Sequence, residues 1–405
     1  MFVFLAINMF IAGAVNMKIK SAARNVGFLL TSCLVFLLFL EFVVFRFVLL
    51  PADLPRNAFV DGVIKYQANQ SGVDRLGDDY AFPFRINADG WNSGHSGYLK
   101  PRTPDIERIA IIGDSYVEAF QVPFDQSLAE RLEDKLVEAG RPTEVYRFGI
   151  SGAPLSQYLH MLEREVLAYR PDKVAILLVH NDFDESFRFA AGRYTSSYRK
   201  LRIENGSVTG HVEPQAYRGA YEPLTQTASF RYLRLRQGLS LGPVRQFLLG
   251  GQTGQDYAAN ISIRSVLAER GNIEIAVDYV MQRFSDLARE HGVEIVLLMD
   301  ADRGAIYGRA REDRIGGVLA LNELARAAAE RHGLGFIDLH PVFKDDYRRN
   351  RLQFEYKRDW HWNRHAHELA AETLARWASP VAKTARLEKQ PFFKSPIPAE
   401  LAGKH

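Results

Sequence analysis

Short aliphatic runs alternate with amphipathic segments along most of the chain after residue 104, and this alternation limits the possible folds more than any other feature. Short runs rich in aliphatic residues lie at residues 108–112, 144–148, 173–179, 293–299 and 335–339, and positions 174–179 of the third run are all apolar. Such runs are typical of strands that are buried on both faces. Parallel strands need a crossover between them, which a helix usually supplies. The pattern therefore predicts a parallel sheet with right-handed crossovers.

Amphipathic segments fill most of the intervals between these strand candidates, at about 127–139, 155–169, 274–290 and 316–332, and a last one follows at about 364–378. In the first of them, Leu128, Leu132 and Leu136 lie on one helical face. We therefore predict an α/β fold with three α/β/α layers around a flavodoxin-like, five-stranded parallel sheet.

The sheet pattern covers residues 105–379, which we predict to be the main domain. It is interrupted at about 184–270, where Arg, Tyr, Gly and Ser are frequent without sustained periodicity, and we interpret this region as an insertion. Residues 51–104 are rich in Pro, Gly and Asn and are predicted to form a stalk and lead-in with short strands or ordered loops. Residues 380–405 are predicted to be a peripheral tail.

The N-terminal region contains an apolar run at residues 27–50, long enough to cross a bilayer, which takes about 20 residues. Lys18, Lys20 and Arg24 precede it, so the positive-inside rule predicts that residues 1–26 are cytoplasmic and the main domain is periplasmic or extracytoplasmic. Met17 is an alternative start of translation. Cys33 follows Leu-Thr-Ser as in a lipoprotein cleavage site, but apolar residues continue beyond it.

Composition excludes several other classes of protein. An apolar content of 47% and a charged content of 24% are near the average for globular proteins, which argues against wholesale disorder or several membrane spans. A net charge of +3 is too small to indicate nucleic-acid binding. With Cys33 as the only cysteine, there is no intramolecular disulfide framework. The sequence indicates neither a cofactor nor an oligomeric state.

Polar residues with catalytic potential follow the predicted strands. In parallel sheets, ligands bind outside the carboxyl ends of the strands. Ser115 follows the first strand through a Gly-Asp turn, Gly152 lies in the glycine-containing turn after the second, and Asn181 follows the third. Backbone N–H groups near Ser115 and Gly152 and the amide of Asn181 are suited to stabilise an oxyanion.

A histidine-rich segment precedes the last predicted helix. His361 can act as a general base, and Asp359, two positions earlier, can orient its ring. His361, His365 and His367 also suggest a metal site, although they do not form the HExxH arrangement of metalloproteases.

These motifs, in this order, resemble the four sequence blocks of the SGNH, or GDSL-type, hydrolase superfamily. The resemblance implies that Ser115 is the nucleophile, His361 the base and Asp359 its partner, with Ser115, Gly152 and Asn181 forming the oxyanion hole. It implies no metal or cofactor. The third block is usually Gly-x-Asn-Asp, whereas here Val179 stands at the position of the glycine, and the last block usually has two residues between Asp and His. The shorter spacing is similar to the Asp-x-His-Trp form of enzymes that modify bacterial polysaccharides.

The sequence thus suggests a membrane-anchored serine esterase or acyltransferase that acts on an O-acylated envelope or secreted polysaccharide. The alternatives are a lipase, thioesterase or lysophospholipase at the membrane surface, and a non-catalytic scaffold for polysaccharide assembly. The insertion is interpreted either as a shelf for an acidic glycan or as a solvated elaboration. The residues that suggest a shelf are basic or aromatic: Arg188, Arg193, Arg199, Lys200, Arg202, Tyr194, Tyr198, Tyr217 and Tyr221.

Overall fold

The computed structural model describes residues 24–189, 194–217, 222–239, 257–258, 261–309 and 312–379. In chain order the strands are β1 (Asn57–Val60), β2 (Val63–Tyr66), β3 (Ser71–Leu76), β4 (Tyr80–Arg85), β5 (Glu107–Gly113), β6 (Thr143–Gly149), β7 (Lys173–Leu178), β8 (Lys200–Glu204), β9 (Ser207–Val212), β10 (Tyr257–Ala258), β11 (Ile261–Ser262), β12 (Glu294–Met299) and β13 (Gly335–Asp338). Our predictions for residues 1–23, including the start at Met17, and for the tail lie outside the described residues.

The central sheet contains five strands in the order β13-β12-β7-β5-β6. All of its strand pairs are parallel. When the five strands are numbered 1 to 5 along the chain, their order across the sheet, from β6 to β13, is 2-1-3-4-5. This is the flavodoxin-like order and confirms the predicted fold. The chain reverses its direction of travel between β5 and β7, so the carboxyl ends of these two strands form the switch point at which ligands bind.

The helices cover both faces of the sheet. They are α1 (Arg24–Val48), α2 (Ser115–Glu118), α3 (Leu128–Glu138), α4 (Leu155–Arg164), α5 (Asp182–Glu185), α6 (Glu222–Thr225), α7 (Ala228–Phe230), α8 (Ile263–Ala268), α9 (Arg270–His291), α10 (Arg303–Ile306), α11 (Glu312–Arg331), α12 (Leu339–Asn350) and α13 (Arg364–Ala378). The predicted helix at 155–169 is instead two elements, because Glu165 leaves helical geometry (φ −124°) before a 3₁₀ turn at Val166–Tyr169.

Two hydrophobic cores separate the three layers. Helices α4, α9 and α11 pack on one face of the sheet, where alternate β5 residues such as Ala110 and Ile112 are buried. Helices α3, α12 and α13 pack on the other face, with Ile109 and Ile111. This period-two division of β5 between the cores is expected for a strand covered on both sides.

The lead-in is not a stalk, because its residues are part of the core. Its strands form two antiparallel hairpins, β1–β2 and β3–β4. Val63, Phe84 and Trp91 are almost fully buried in the same core as α4. The Pro-, Gly- and Asn-rich composition correctly indicated short strands and turns, but it carries no information on what those strands pack against.

The insertion contains the hairpin β8–β9 and several short helices. Three of the residues that suggested an open shelf are buried: Tyr198, Arg199 and Lys200. Arg199 pairs with Glu163 at 2.7 Å, and the Lys200 ammonium donates to the Glu185 carbonyl. The shelf interpretation is therefore wrong for these residues. Arg193 and Tyr221 lie outside the described residues.

Helix α1 is long and apolar enough to cross a membrane, and none of its apolar window is buried in the protein. Its C-terminal part is nevertheless attached to the insertion. Glu41 accepts hydrogen bonds from the backbone N–H groups of Ala228 and Ser229, at 3.0 Å for Ser229. The rings of Phe45 and Tyr232 are 5.5 Å apart. Glu41 thus satisfies free N–H groups at the start of α7, a favourable place for a carboxylate.

Candidate active site

Ser115 lies at the sharp turn from β5 into the short helix α2. The Asp114 carboxylate accepts a hydrogen bond from the Tyr116 backbone N–H at 3.0 Å and so caps this helix. A Cβ on Gly113 would lie 2.4 Å from a methyl group of Val117, so the turn requires a glycine there. The turn places the Ser115 hydroxyl at the carboxyl edge of the sheet with only 8% of the residue exposed.

His361 and Asp359 lie on the 351–363 loop, which connects α12 to α13. Trp362 anchors this loop: it is fully buried, and its indole N–H donates to Asp300 at 2.9 Å. The carbonyl of Trp360 accepts two further hydrogen bonds, from the Tyr116 hydroxyl at 2.9 Å and from Arg303 at 2.7 Å. The histidine is therefore fixed by the anchored residues on both sides of it.

The loop brings His361 between Ser115 and Asp359. His361 Nε2 is 2.8 Å from Ser115 Oγ, and Nδ1 is 2.5 Å from Asp359 Oδ1. An ionised carboxylate only accepts hydrogen bonds, so Nδ1 carries the proton and Nε2 is free to accept from the serine. The one-residue spacing is compatible with this contact because Asp359 Oδ1 also accepts the His361 backbone N–H at 3.0 Å, as in an Asx turn.

Burial and charge shift the pKa values of this pair in opposite directions. Burial opposes ionisation of Asp359, but the charge of His361 and hydrogen bonds from His361 and Tyr80 outweigh it and lower the pKa of Asp359 to about 2. Burial also opposes protonation of His361, yet the Asp359 charge and hydrogen bond raise its pKa above the ordinary value. Asp359 is thus ionised across the neutral range, and it strengthens His361 as a base.

Gly152 and Asn181 follow the two strands that flank β5. Gly152 has φ +72°, and a Cβ there would lie 3.1 Å from Thr195, so a glycine suits both the backbone and the space. The Asn181 amide hydrogen-bonds Glu185, which engages one of its two donors at most. Val179 stands in place of the usual glycine and is buried, and His180 beside it hydrogen-bonds Asn322 at 2.9 Å. Neither Gly152 nor Asn181 has a described hydrogen bond to the Ser115–His361–Asp359 set.

The other histidines of the segment have separate partners. His365 Nε2 is 2.6 Å from Asp346, and His367 Nδ1 accepts the Leu128 backbone N–H at 3.1 Å. Within the described ranges, no group of three or more His, Cys, Asp or Glu side chains is arranged to hold a metal ion.

Sequence reasoning missed Tyr80. Its hydroxyl donates to Asp359 Oδ2 at 2.8 Å, across 279 residues of sequence. Tyr80 begins β4 in the lead-in, where no motif marks it, and only the packing of the lead-in against the 351–363 loop brings it to the site.

Comparisons with known proteins cover the same region. The model of the GDSL-like lipase/acylhydrolase family matches residues 111–369. A search of curated proteins finds no match to this sequence. Among solved structures, the chain is similar to LAE5, an alpha/beta hydrolase from the metagenome of Lake Arreo, Spain, at 15% identity and a TM-score of 0.39, over 68% of this chain and 95% of that one.

Two further solved structures are similar over comparable lengths. The acetyl xylan esterase AlAXEase has 15% identity and a TM-score of 0.37, over 67% of this chain and 98% of its own. The lipase/acylhydrolase from Enterococcus faecalis has 15% identity and a TM-score of 0.34, over 67% of this chain and 94% of its own.

Proposed function

The chain belongs to the GDSL-like lipase/acylhydrolase family, and on this premise we propose that it is a serine esterase whose catalytic triad is Ser115, His361 and Asp359. The observation that carries the proposal is the position of His361, with one ring nitrogen 2.8 Å from the serine oxygen and the other 2.5 Å from the carboxylate. This is the geometry of a nucleophile, a base and the group that orients the base.

The reaction follows from these contacts. Ser115 Oγ attacks the ester carbonyl as His361 Nε2 takes its proton, and the carbonyl oxygen becomes an oxyanion. His361 then returns the proton to the departing alcohol oxygen as the C–O bond breaks, which leaves an acyl group on Ser115. Water, or a sugar hydroxyl in a transferase, attacks this acyl-enzyme as His361 takes its proton. The bond from the acyl carbon to Ser115 Oγ then breaks as His361 returns the proton to Oγ, which releases the acid or the new ester and restores the serine. Asp359 stays ionised and stabilises the imidazolium in both steps.

We assign the oxyanion hole to the backbone N–H groups of Ser115 and Gly152 and to the Asn181 side chain. All three residues lie at the carboxyl edge of adjacent strands, and Asn181 retains a second amide hydrogen besides the one directed to Glu185. Donors fixed in advance at this edge stabilise the negative charge that develops during attack.

For the substrate, we propose an O-acylated carbohydrate. Trp360 precedes His361, and 56% of it is exposed although its carbonyl is held by two buried donors, Tyr116 and Arg303. A rigidly presented indole next to the base offers an apolar face against which a sugar ring can pack. This feature supports an ester of a saccharide as the substrate more directly than an ester of a long-chain acid.

Replacing Trp360 by alanine tests the substrate class. We expect KM for an O-acetylated oligosaccharide to rise about tenfold, the usual loss for an exposed aromatic anchor. Hydrolysis of p-nitrophenyl acetate should stay within about twofold, because the backbone carbonyl that fixes the loop is retained. Trp360→Phe, which keeps an aromatic face, should recover part of the loss. Equal changes with both substrates, or a wild-type preference for long-chain over acetyl esters, would contradict a carbohydrate substrate.

We further propose that α1 anchors the enzyme in the cytoplasmic membrane with the catalytic domain outside. A helix of 25 residues is about 37 Å long, which exceeds the apolar core of a bilayer of about 30 Å. About 7 Å of the helix, some five residues, can therefore extend beyond the core, and the contact of Phe45 with the insertion lies within them. This contact favours an anchor over a cleaved signal sequence, whose removal would abolish it.

The anchor predicts the mass and location of the mature protein. The expressed chain should sediment with membranes, resist carbonate extraction and retain residues 24–48 in its intact mass. Added protease should degrade the catalytic domain in spheroplasts without lysis. A mature protein that begins after residue 48, or a domain protected until lysis, would be inconsistent with the proposed anchor or its orientation.

A further inference from the structure

The hairpin β3–β4 lies outside the residues that match the family model, yet it reaches the carboxylate of the proposed triad. Tyr80, at the start of β4, is 8% exposed and donates to Asp359 Oδ2 at 2.8 Å. The other carboxylate oxygen, Oδ1, faces His361. Asp359 is thus held from two sides, by the histidine on its own loop and by a tyrosine from the lead-in.

The tip of this hairpin is attached to the same loop that carries Asp359. The Arg358 backbone N–H donates to Asp79 at 3.0 Å, and the Arg358 side chain packs against Gly77. Gly77 N–H in turn donates to the carbonyl of Arg236, in the segment that follows α7. These contacts fix the hairpin relative to the loop, so the Tyr80 hydroxyl is placed with little freedom.

A second, half-buried carboxyl group, Asp74 on β3, pairs in register with Phe82, so it lies diagonally across the hairpin from Tyr80 on the same face and interacts with the Tyr80 hydroxyl. The Tyr80 hydroxyl has one hydrogen, which it donates to the ionised Asp359. A simultaneous hydrogen bond between Tyr80 and Asp74 therefore requires a protonated Asp74 that donates to the Tyr80 oxygen. Burial and the nearby charge of Asp359 raise the pKa of Asp74 to about 6, against hydrogen bonding of its ionised form by the Tyr80 hydroxyl and the Arg75 backbone N–H. Asp74 therefore changes its protonation within the range in which His361 works.

We propose that Tyr80 and Asp74 are positioning residues for Asp359. Tyr80 orients the carboxylate so that Oδ1 faces His361. Asp74, when protonated, does not compete for the hydrogen of the Tyr80 hydroxyl, which therefore stays hydrogen-bonded to Asp359. This rests on the proposed function, because it concerns the carboxylate of the proposed triad. When Asp74 loses its proton, two carboxylates compete for one phenol hydrogen and a further negative charge faces His361.

Other titratable groups surround this cluster and belong to the same electrostatic environment. Tyr356 on the 351–363 loop packs 5.0 Å from the Tyr80 ring. Glu118 on α2 and Tyr66 on β2 both interact electrostatically with Asp74. Since Tyr66 is hydrogen-bonded to Glu118, these two groups act on Asp74 together and stay the same in the variants described below.

Replacing Tyr80 by phenylalanine should lower kcat about tenfold or more and leave KM unchanged, since a hydrogen bond to a charged group is lost without contact to substrate. Without the donor, the negative charge of Asp359 is less neutralised and stabilises the imidazolium more. The pKa of His361 should therefore rise, and the acid limb of kcat against pH should move upward. In Asp74→Asn, whose amide can donate to Tyr80 but carries no charge, the pKa of His361 should fall.

Tyr356→Phe is the matched control, because it removes a phenol hydroxyl from the same aromatic cluster but one that donates to the Gln121 carbonyl. All three variants are made in the full chain in detergent, and their melting temperatures are compared. If Tyr80→Phe matches Tyr356→Phe in kcat and in its pH limb, Tyr80 is merely structural and the inference fails.

The pKa of His361 is also measured by NMR on protein with ¹³C-labelled histidine, with His361→Gln used to assign the resonance. This measurement does not need turnover. A raised His361 pKa in Tyr80→Phe without Ser115-dependent turnover would support the positioning role and overturn the esterase proposal. An unchanged His361 pKa in both Tyr80→Phe and Asp74→Asn, with Ser115-dependent turnover intact, would overturn the positioning role alone.

Discussion

Replacing Ser115 by alanine is expected to lower kcat for p-nitrophenyl acetate by about 10⁶-fold, the loss seen when a serine hydrolase is deprived of its nucleophile. The reason is covalent: alanine cannot form the acyl-enzyme, and His361 is left without the hydroxyl that lies 2.8 Å from its Nε2. Labelling of the protein by a fluorophosphonate should also disappear. The fold should persist, because the backbone of the β5–α2 turn depends on Gly113 and Asp114 rather than on the serine hydroxyl.

Asn181→Ala provides the comparison. It removes a proposed oxyanion donor and keeps the nucleophile, so kcat should fall by about 10²–10³-fold. Fluorophosphonate should still label this variant at Ser115, although more slowly. Turnover or labelling that survives in Ser115→Ala would show that another residue carries the chemistry.

Replacing Asp359 by asparagine is expected to lower kcat by about 10⁴-fold, as in other triads that lose this carboxylate. Asparagine offers no negative charge to the imidazolium and does not hold the proton on Nδ1, so Nε2 is less available to accept from Ser115. In the wild type, Asp359 raises the pKa of His361, and activity is lost as the pH falls through that raised value. Without the charge, the pKa of His361 should fall. The acid limb of kcat against pH should then move to lower pH, and the maximum kcat should be much lower.

Asp346→Asn is the matched control for this variant. Asp346 is buried and, like Asp359, pairs with a histidine, His365 at 2.6 Å, but its described partners do not include Ser115 or His361. The kcat of the Asp346→Asn variant should stay within a few-fold of the wild-type value after correction for the folded fraction. A plateau in Asp359→Asn within tenfold of the wild type would mean that Asp359 does not support the base.

The sequence was most informative where structure is local. The strand and helix positions of the sheet follow from consecutive or periodic apolar residues, and β5, β6 and β7 end within a residue or so of their predicted limits. Because parallel strands present their carboxyl ends at one edge, the order of the motifs also predicted that Ser115 and His361 lie near each other. Their predicted roles as nucleophile and base await the variants described above.

The sequence was least informative where packing between distant segments decides the outcome. Lys200 and Arg199 suggested a charged surface, but each is buried against a partner from another element. The lead-in was interpreted as a stalk because Pro, Gly and Asn are common in it, although residues of both hairpins, such as Val63 and Phe84, enter the core. The hydrogen bond from Tyr80 to Asp359 joins residues that no local pattern relates.

The large separation along the chain between Ser115 and His361, 246 residues, has a consequence for biosynthesis. Ser115 is synthesised early, but Asp359 and His361 follow the last strand of the sheet, β13, which lies at the sheet edge. The proposed triad is therefore incomplete until residue 361 has been synthesised, and we expect a nascent chain to have no esterase activity.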